Sequence, residues 1–326
     1  MIVRWGLESL PEACAEAGVS LASLVSSRRW DSLELPVEVV SRWVEVPSDR
    51  IDDAISSTAA ATAADGVIVV GGGSAIDLGK AISARTRLPL VSVPTTYSGA
   101  EWTNYFGVRD PVRRMVGGGG GALPTAIVYE PKLTLGLSVE ATVGTSMNAL
   151  AHCAEALYVE ENNPYADGHA LAGAQLISEW LPRVVAAPED LDARAALLRG
   201  ACHAGAALAA SGLGLAHAMA QAVGGRYGLP HGTLNGITLP PALRFNAAYA
   251  PDAVRRFGET IGAPDDPASR VEELAGLAGP TRLSELGVPE RDLAKLAAAV
   301  AERGGNRANP KPATPEEIEQ LLREVF

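Results

Sequence analysis

The 326-residue sequence predicts an α/β domain with a mostly parallel sheet, followed by an all-α domain. Up to about residue 135, short β-rich runs alternate with helical stretches, which is the pattern of an open parallel sheet. From about 136 onward, long Ala/Leu-rich stretches are punctuated by Gly, Pro and Asn, and no strand pattern recurs. The expected domains are therefore 1–135 and 136–326, with the boundary near "EPKLTLGLS" at 130–138.

Taken in order, the candidate strands are "SLASLVSS" (20–27), "RWVEVP" (42–47), "GVIVVG" (66–71), "LVSVPT" (90–95) and "AIVYEP" (126–131). The middle three read as near-continuous apolar runs, which suits parallel strands covered on both faces. Between them, "DRIDDAISSTAAATAA" and "AIDLGKAISARTR" are helical in composition. The run "GGGGG" at 117–121 reads as too flexible for regular structure and is expected to be a mobile surface loop.

Composition limits the function classes. The chain is 47% hydrophobic and carries a net charge of −11. That argues against nucleic acid or an anionic membrane as partner, since either needs a basic stripe. An acidic small molecule needs only a few local cations and stays open. Cys14, Cys153 and Cys202 show no paired spacing, and no leader or long apolar run is visible. The expectation is a cytoplasmic enzyme with reduced, buried thiols.

Chemistry concentrates in a few stretches. In "VIVVGGGSAIDLGKAI" a buried strand runs into Gly71, Gly72, Gly73 and Ser74 and then straight into a helix carrying Asp77. Such a turn lets backbone N–H groups approach a pyrophosphate. It also fits a plain strand-to-helix turn capped by Ser74, with Asp77 complementing the helix dipole. In "LVSVPTTYSGAEWT", Thr95 and Thr96 follow a strand's carboxyl end, where open α/β sheets bind ligands; a local turn is the other reading. In "TSMNALAHCAEALY", Asn148 and His152 share one helix face, and His217 and His231 lie in two later segments. An aspartate at 148 would make this a one-carboxylate, three-histidine metal site. With asparagine, a metal site, a former metal site and a chance arrangement all remain open. His169 and His203 read as satisfied or surface residues.

"GGGSAID", "VPTTYSGAEWT", "SMNALAHCAEALY", "HAMAQAVGG" and "LPHGTLNG" together resemble, in order and spacing, the iron-containing alcohol dehydrogenase superfamily. "GPTRLSELGV" and "NPKPATPEEI" add similarity to its maleylacetate reductase branch. The resemblance covers most of the chain from about residue 66 and is weaker upstream, where the stretch between "LVSSRR" and "VEVPSDR" is shorter than the family pattern.

What the resemblance implies is an NAD(P)-binding domain, then a helical catalytic domain of the dehydroquinate synthase-like fold, with the active site between them. Gly71, Gly72, Gly73 and Ser74 would hold the cofactor pyrophosphate, with Asp77 nearby, and Thr95 and Thr96 would line the adenine side. Metal-dependent members use an aspartate and three histidines, positions matched here by Asn148, His152, His217 and His231. Another histidine of many members is matched by Gln221. The site then reads as a former metal site, with His217 and His231 as hydrogen-bond or proton donors and His152 and Asn148 orienting them. The expected enzyme is a homodimeric NAD(P)H-dependent reductase, without metal, acting on a small unsaturated oxo acid or related carbonyl compound. Two alternatives stand beside it: a metal-dependent alcohol or aldehyde dehydrogenase, and a catalytically weakened scaffold. Arg113, Arg114, Arg226 and Arg244 are the arginines considered for an anionic substrate.

Overall fold

The computed structural model describes residues 1–60, 64–112 and 115–326. It divides into two compact units, Met1–Gly136 and Leu137–Phe326.

The first unit holds strands β1 (Ile2–Trp5), β2 (Leu21–Ser26), β3 (Glu38–Trp43), β4 (Gly66–Gly71), β5 (Leu90–Pro94), β6 (Tyr105–Arg109), β7 (Met115–Gly120) and β8 (Ala126–Tyr129). Its helices are α1 (Leu10–Ala17), α2 (Ile51–Ala60) and α3 (Gly73–Thr86). Six strands form a sheet in the order β1-β8-β5-β4-β2-β3, with every pairing parallel. Every residue of β4 and β5 is buried. Period-two alternation sends Ile68, Val70, Val91 and Val93 toward Leu10 and Ala13 of α1. Val67, Val69 and Leu90 pack instead on Ile76 and Ile82 of α3. From β2 the chain moves outward to β3, whereas from β4 it moves the other way to β5. The carboxyl ends of β2 and β4 therefore flank a topological switch point, the place where open α/β sheets take ligands.

Three elements differ from expectation. The second strand occupies Glu38–Trp43 rather than 42–47. It is an edge strand paired only with β2, so none of its residues is fully buried, and Pro47 has no N–H to extend the ladder. The short edge strand β1 carries no long apolar pattern to announce it. Most of the glycine run is not a loop: Gly117–Gly120 lie in β7, antiparallel to β6. A Cβ at Gly118 would sit 2.7 Å from the Phe106 carbonyl oxygen, so glycine is required where the two backbones cross closely. Lys80, fully buried in α3, ties this hairpin down by donating to the Tyr105 carbonyl (3.0 Å) and Thr103 Oγ1 (3.1 Å).

The second unit is helical: α4 (Val139–Ala156), α5 (Pro164–Ala186), α6 (Leu191–Ser211), α7 (Leu215–Tyr227), α8 (His231–Asn246), α9 (Pro251–Thr260), α10 (Pro267–Ala275), α11 (Leu293–Ala301), α12 (Gly304–Arg307) and α13 (Pro315–Glu324). Small residues let these helices touch backbone to backbone. A Cβ at Gly232 would lie 2.2 Å from the Gly144 carbonyl oxygen, so the start of α8 lies directly against α4. Gly173 of α5 likewise leaves no room between Cys153 and the α6 backbone. Cys14 and Cys153 are buried and Cys202 half-buried, all as free thiols. No single helix among the described residues is long and apolar enough to cross a membrane.

Candidate active site

Helix α4 presents Asn148, His152 and Glu155 at spacings of four and three, hence on one face. All three are buried. The close crossing of α8 on α4 brings His231 and Asn235 to that face, and α7 brings His217. The rings of His152 and His217 stack with centroids 4.6 Å apart, and His231 lies 5.6 Å from His217. The three histidines expected to converge do so.

Glu155, which the sequence reading did not single out, organises the cluster. Its carboxylate accepts from the Gly214 N–H (2.8 Å), the His217 backbone N–H (3.1 Å) and His217 Nδ1 (2.6 Å). It thus occupies the N-terminus of α7 and fixes the His217 proton on Nδ1, which leaves Nε2 buried with no protein partner. Two asparagines hold the other rings. Asn235 Nδ2 donates to Asn148 Oδ1 (2.6 Å) and lies 3.1 Å from His231 Nε2, while Asn148 Nδ2 lies 3.4 Å from His152 Nε2. Burial, then the neighbouring His217 and His231, hold His152 well below the usual imidazole range, so it is neutral.

This donor set does not suit a divalent cation. A carboxylate ligand is missing, and amide N–H groups point at the His152 and His231 nitrogens and at Asn148 Oδ1, where a cation would need lone pairs. Among the described residues, no group of three or more His, Cys, Asp or Glu side chains could hold a metal ion. What the pocket does offer is unsatisfied hydrogen-bonding capacity at His217 Nε2, His152 Nδ1 and Asn235 Oδ1.

In the first unit, the Gly71–Ser74 turn follows β4 at the switch point. Gly72 is the N-cap of α3 and no side chain caps the helix, so Ser74 does not play that part. A Cβ at Gly72 would lie 2.8 Å from Thr96 Cγ2, which keeps the turn bare and its first amides open to a phosphate. Thr95 donates its N–H to the Gly71 carbonyl (3.0 Å), which joins the loop after β5 to the glycine turn, and within that loop Thr96 Oγ1 reaches Ser98 Oγ (3.3 Å). These groups fit a dinucleotide pyrophosphate. Asp77 is engaged elsewhere: Lys80 Nζ is 3.2 Å from Oδ1 and the Gly107 N–H donates to Oδ2 at 3.0 Å, making it an anchor for the β6–β7 hairpin.

The remaining candidates fall outside both groups. His169 and His203 pair with each other, Nδ1 to Nδ1 at 2.9 Å. Arg226 is bound to Asp292 and Arg244 to Glu272 and Glu324. Arg113 and Arg114 lie outside the described residues. Glu155 and Asn235 were legible in principle, three residues after His152 and four after His231, on the same helix faces.

Residues 142–326 match the model of the Fe-containing alcohol dehydrogenase family, C-terminal, and residues 11–131 match that of iron-containing alcohol dehydrogenase. The maleylacetate reductase of Burkholderia cepacia is 38% identical over 325 residues, spanning 98% of this chain and 88% of that protein. The maleylacetate reductase of Sphingobium indicum is 38% identical over 272 residues, spanning 83% and 76%. The crystal structure of maleylacetate reductase from Agrobacterium tumefaciens has a TM-score of 0.90 at 30% identity and covers 100% of this chain and 95% of that one. With both halves matched, and relatives aligned over nearly its full length, the chain belongs to the iron-containing alcohol dehydrogenase family.

Proposed function

We propose that the protein is an NAD(P)H-dependent reductase that works without a metal on a small unsaturated oxo acid or related carbonyl compound. The observation that carries this reading is the buried Glu155–His217 pair: its carboxylate is engaged by His217 Nδ1 and the first amides of α7, and His217 Nε2 has no partner among the described residues. The maleylacetate reductase relatives support the substrate class. By the same reading the enzyme is a cytoplasmic homodimer.

Gly71, Gly72, Gly73 and Ser74 would hold the cofactor phosphates, with Thr95 and Thr96 beside them. When bound, the reduced nicotinamide supplies the hydride. In an unsaturated oxo acid or a simple ketone alike, the electrons released by that addition collect on the carbonyl oxygen. A proton must reach that oxygen, and His217 is the group built to deliver it. When the ring carries two protons, Nε2–H donates toward the pocket while the Glu155 carboxylate, on Nδ1–H, compensates the charge. His152 stays neutral, and together with His231 and the two asparagines it fixes the shape of the pocket.

A metal-dependent alcohol dehydrogenase is the competing reading, favoured by the three converging histidines. The test is NADPH oxidation with a panel of oxo acids, enones and aldehydes, with and without chelator, on protein assayed for iron and zinc. The proposal expects chelator-resistant turnover and far less than one metal per chain. It also expects Asn148→Asp to gain zinc or iron affinity and to lose native activity, since the added anion supplies the missing ligand and disfavours an anionic substrate. Full metal occupancy, with activity lost to chelator and restored by metal, would move the protein to the alcohol dehydrogenase reading.

A further inference from the structure

Arg303 precedes α12, where the chain runs in backbone contact with the start of α7: a Cβ at Gly305 would lie 2.4 Å from the Gly214 carbonyl oxygen. Its guanidinium donates to Gln221 Oε1 (3.2 Å) and to the Gln221 carbonyl (3.4 Å). Gln221 lies four residues after His217 and so shares that face of α7. Arg303 is half-buried, its Nε has no hydrogen-bond partner, and among the described residues it forms no ion pair. Burial disfavours its charge and no acid opposes that effect. Arg226 and Arg244 differ in that each is held by a carboxylate.

A permanent cation taken partly out of water without a counter-ion is costly unless a ligand supplies one. We propose that Arg303 is the docking cation for a substrate carboxylate, and that Gln221 holds its guanidinium toward the face of α7 that carries His217. The proposal rests on the reductase reading and makes its substrate an acid. A guanidinium matches a planar carboxylate through two parallel hydrogen bonds. Gln221 suits the holding role because its amide oxygen accepts from Nη1 without neutralising it. One helical turn, about 5.4 Å, separates the levels of His217 and Gln221 on α7. The carboxylate and the carbonyl that receives the proton are therefore a few bonds apart in the substrate, as in a short oxo acid. Burial holds His152 neutral, so that ring supplies no standing positive charge for this purpose.

The test titrates NADPH-loaded enzyme with maleate, a dicarboxylate probe that needs no turnover, by calorimetry. Wild-type protein should bind it. Arg303→Met should weaken binding about tenfold or more, and Arg303→Lys less. Gln221→Glu, nearly isosteric, should weaken it as much as Arg303→Met by giving the guanidinium a permanent partner, and it keeps the test valid if Arg303→Met folds poorly. With an active oxo acid, both variants should raise KM by about tenfold while leaving kcat nearly unchanged, since ground and transition states lose the same contact. The neutral ester of that acid should be insensitive to both. Maleate affinity unchanged within about twofold in Gln221→Glu and Arg303→Met, or no maleate binding by the wild type, would overturn the assignment. Failure of the reductase reading would look different: no carbonyl compound oxidises NADPH, yet maleate binding still depends on Arg303.

Discussion

Replacing Glu155 by glutamine tests the proton-delivery reading most directly, because it changes the charge and almost nothing else. The carboxylate accepts three N–H groups, two of them at one oxygen. If the new amide oxygen takes the place of Oε2, it keeps the bonds from Gly214 and His217 Nδ1, and its NH2 faces the His217 backbone N–H. If it turns the other way, it keeps only that backbone bond and forces His217 Nδ1 to accept, which moves the ring proton to Nε2. Either arrangement leaves at least one buried donor unmet or a tautomer reversed, at about 1–3 kcal/mol of stability. Neither can compensate a doubly protonated imidazole. The expected loss in kcat is about 10²- to 10⁴-fold, or ~3–5 kcal/mol of barrier. NADPH affinity should change little, because the bare amides of the Gly71–Ser74 turn, and not Glu155, would hold its phosphates. The assay is steady-state NADPH oxidation, run beside thermal unfolding, where a drop of a few degrees accompanies the lost bonds. A folded Glu155→Gln enzyme with kcat within about threefold of wild type would refute the role of the pair.

Gly72→Val should abolish measurable cofactor binding, since even a Cβ would meet Thr96 Cγ2 at 2.8 Å; fluorescence titration with NADPH reads this, and intact far-ultraviolet dichroism shows that the fold survives. For His152, the folded-state pKa lies below the unfolded value, so the unfolded chain binds more protons on the acid side. The stability present above the ordinary histidine value of 6.5 is therefore lost as pH falls below it, with a slope of up to about 1.4 kcal/mol per pH unit, and His152→Gln should flatten that slope in denaturant titrations. NADPH should serve at least as well as NADH. Ser26 ends β2 at the switch point and Ser27, Arg28 and Arg29 follow it, with no acid among the four, and Arg28 is largely exposed. A tenfold or greater preference for NADH in kcat/KM, ~1.4 kcal/mol, would contradict this.

Some of this architecture is written locally and some is not. The apolar runs of β4 and β5, the glycines between β4 and α3, and the long Ala/Leu helices each declare themselves within a dozen residues, because burial on both faces and close backbone approach leave their marks in adjacent positions. The histidines were legible for the same reason, each standing out within one apolar helix. The β6–β7 hairpin was not: a run of glycines has no side-chain period, and its strand exists only because a second backbone and Lys80 complete it. Edge strand β3 was misplaced because pairing on one side alone demands no continuous apolar run. The decisive features of the pocket depend on contacts far apart in sequence. Glu155 reaches His217 across 62 positions, Asn235 reaches Asn148 across 87, and Arg303 reaches Gln221 across 82. Sequence alone determined which residue types were available and on which helix faces they lay. Only the packing of α4, α7 and α8 through their glycines decided which nitrogen of His217 is held and which amide faces which ring, and only the approach of α12 to α7 set Arg303 on Gln221. Hydrogen-bond geometry is set by distances of a few tenths of an ångström, and those are fixed by the tertiary contacts rather than by any local pattern.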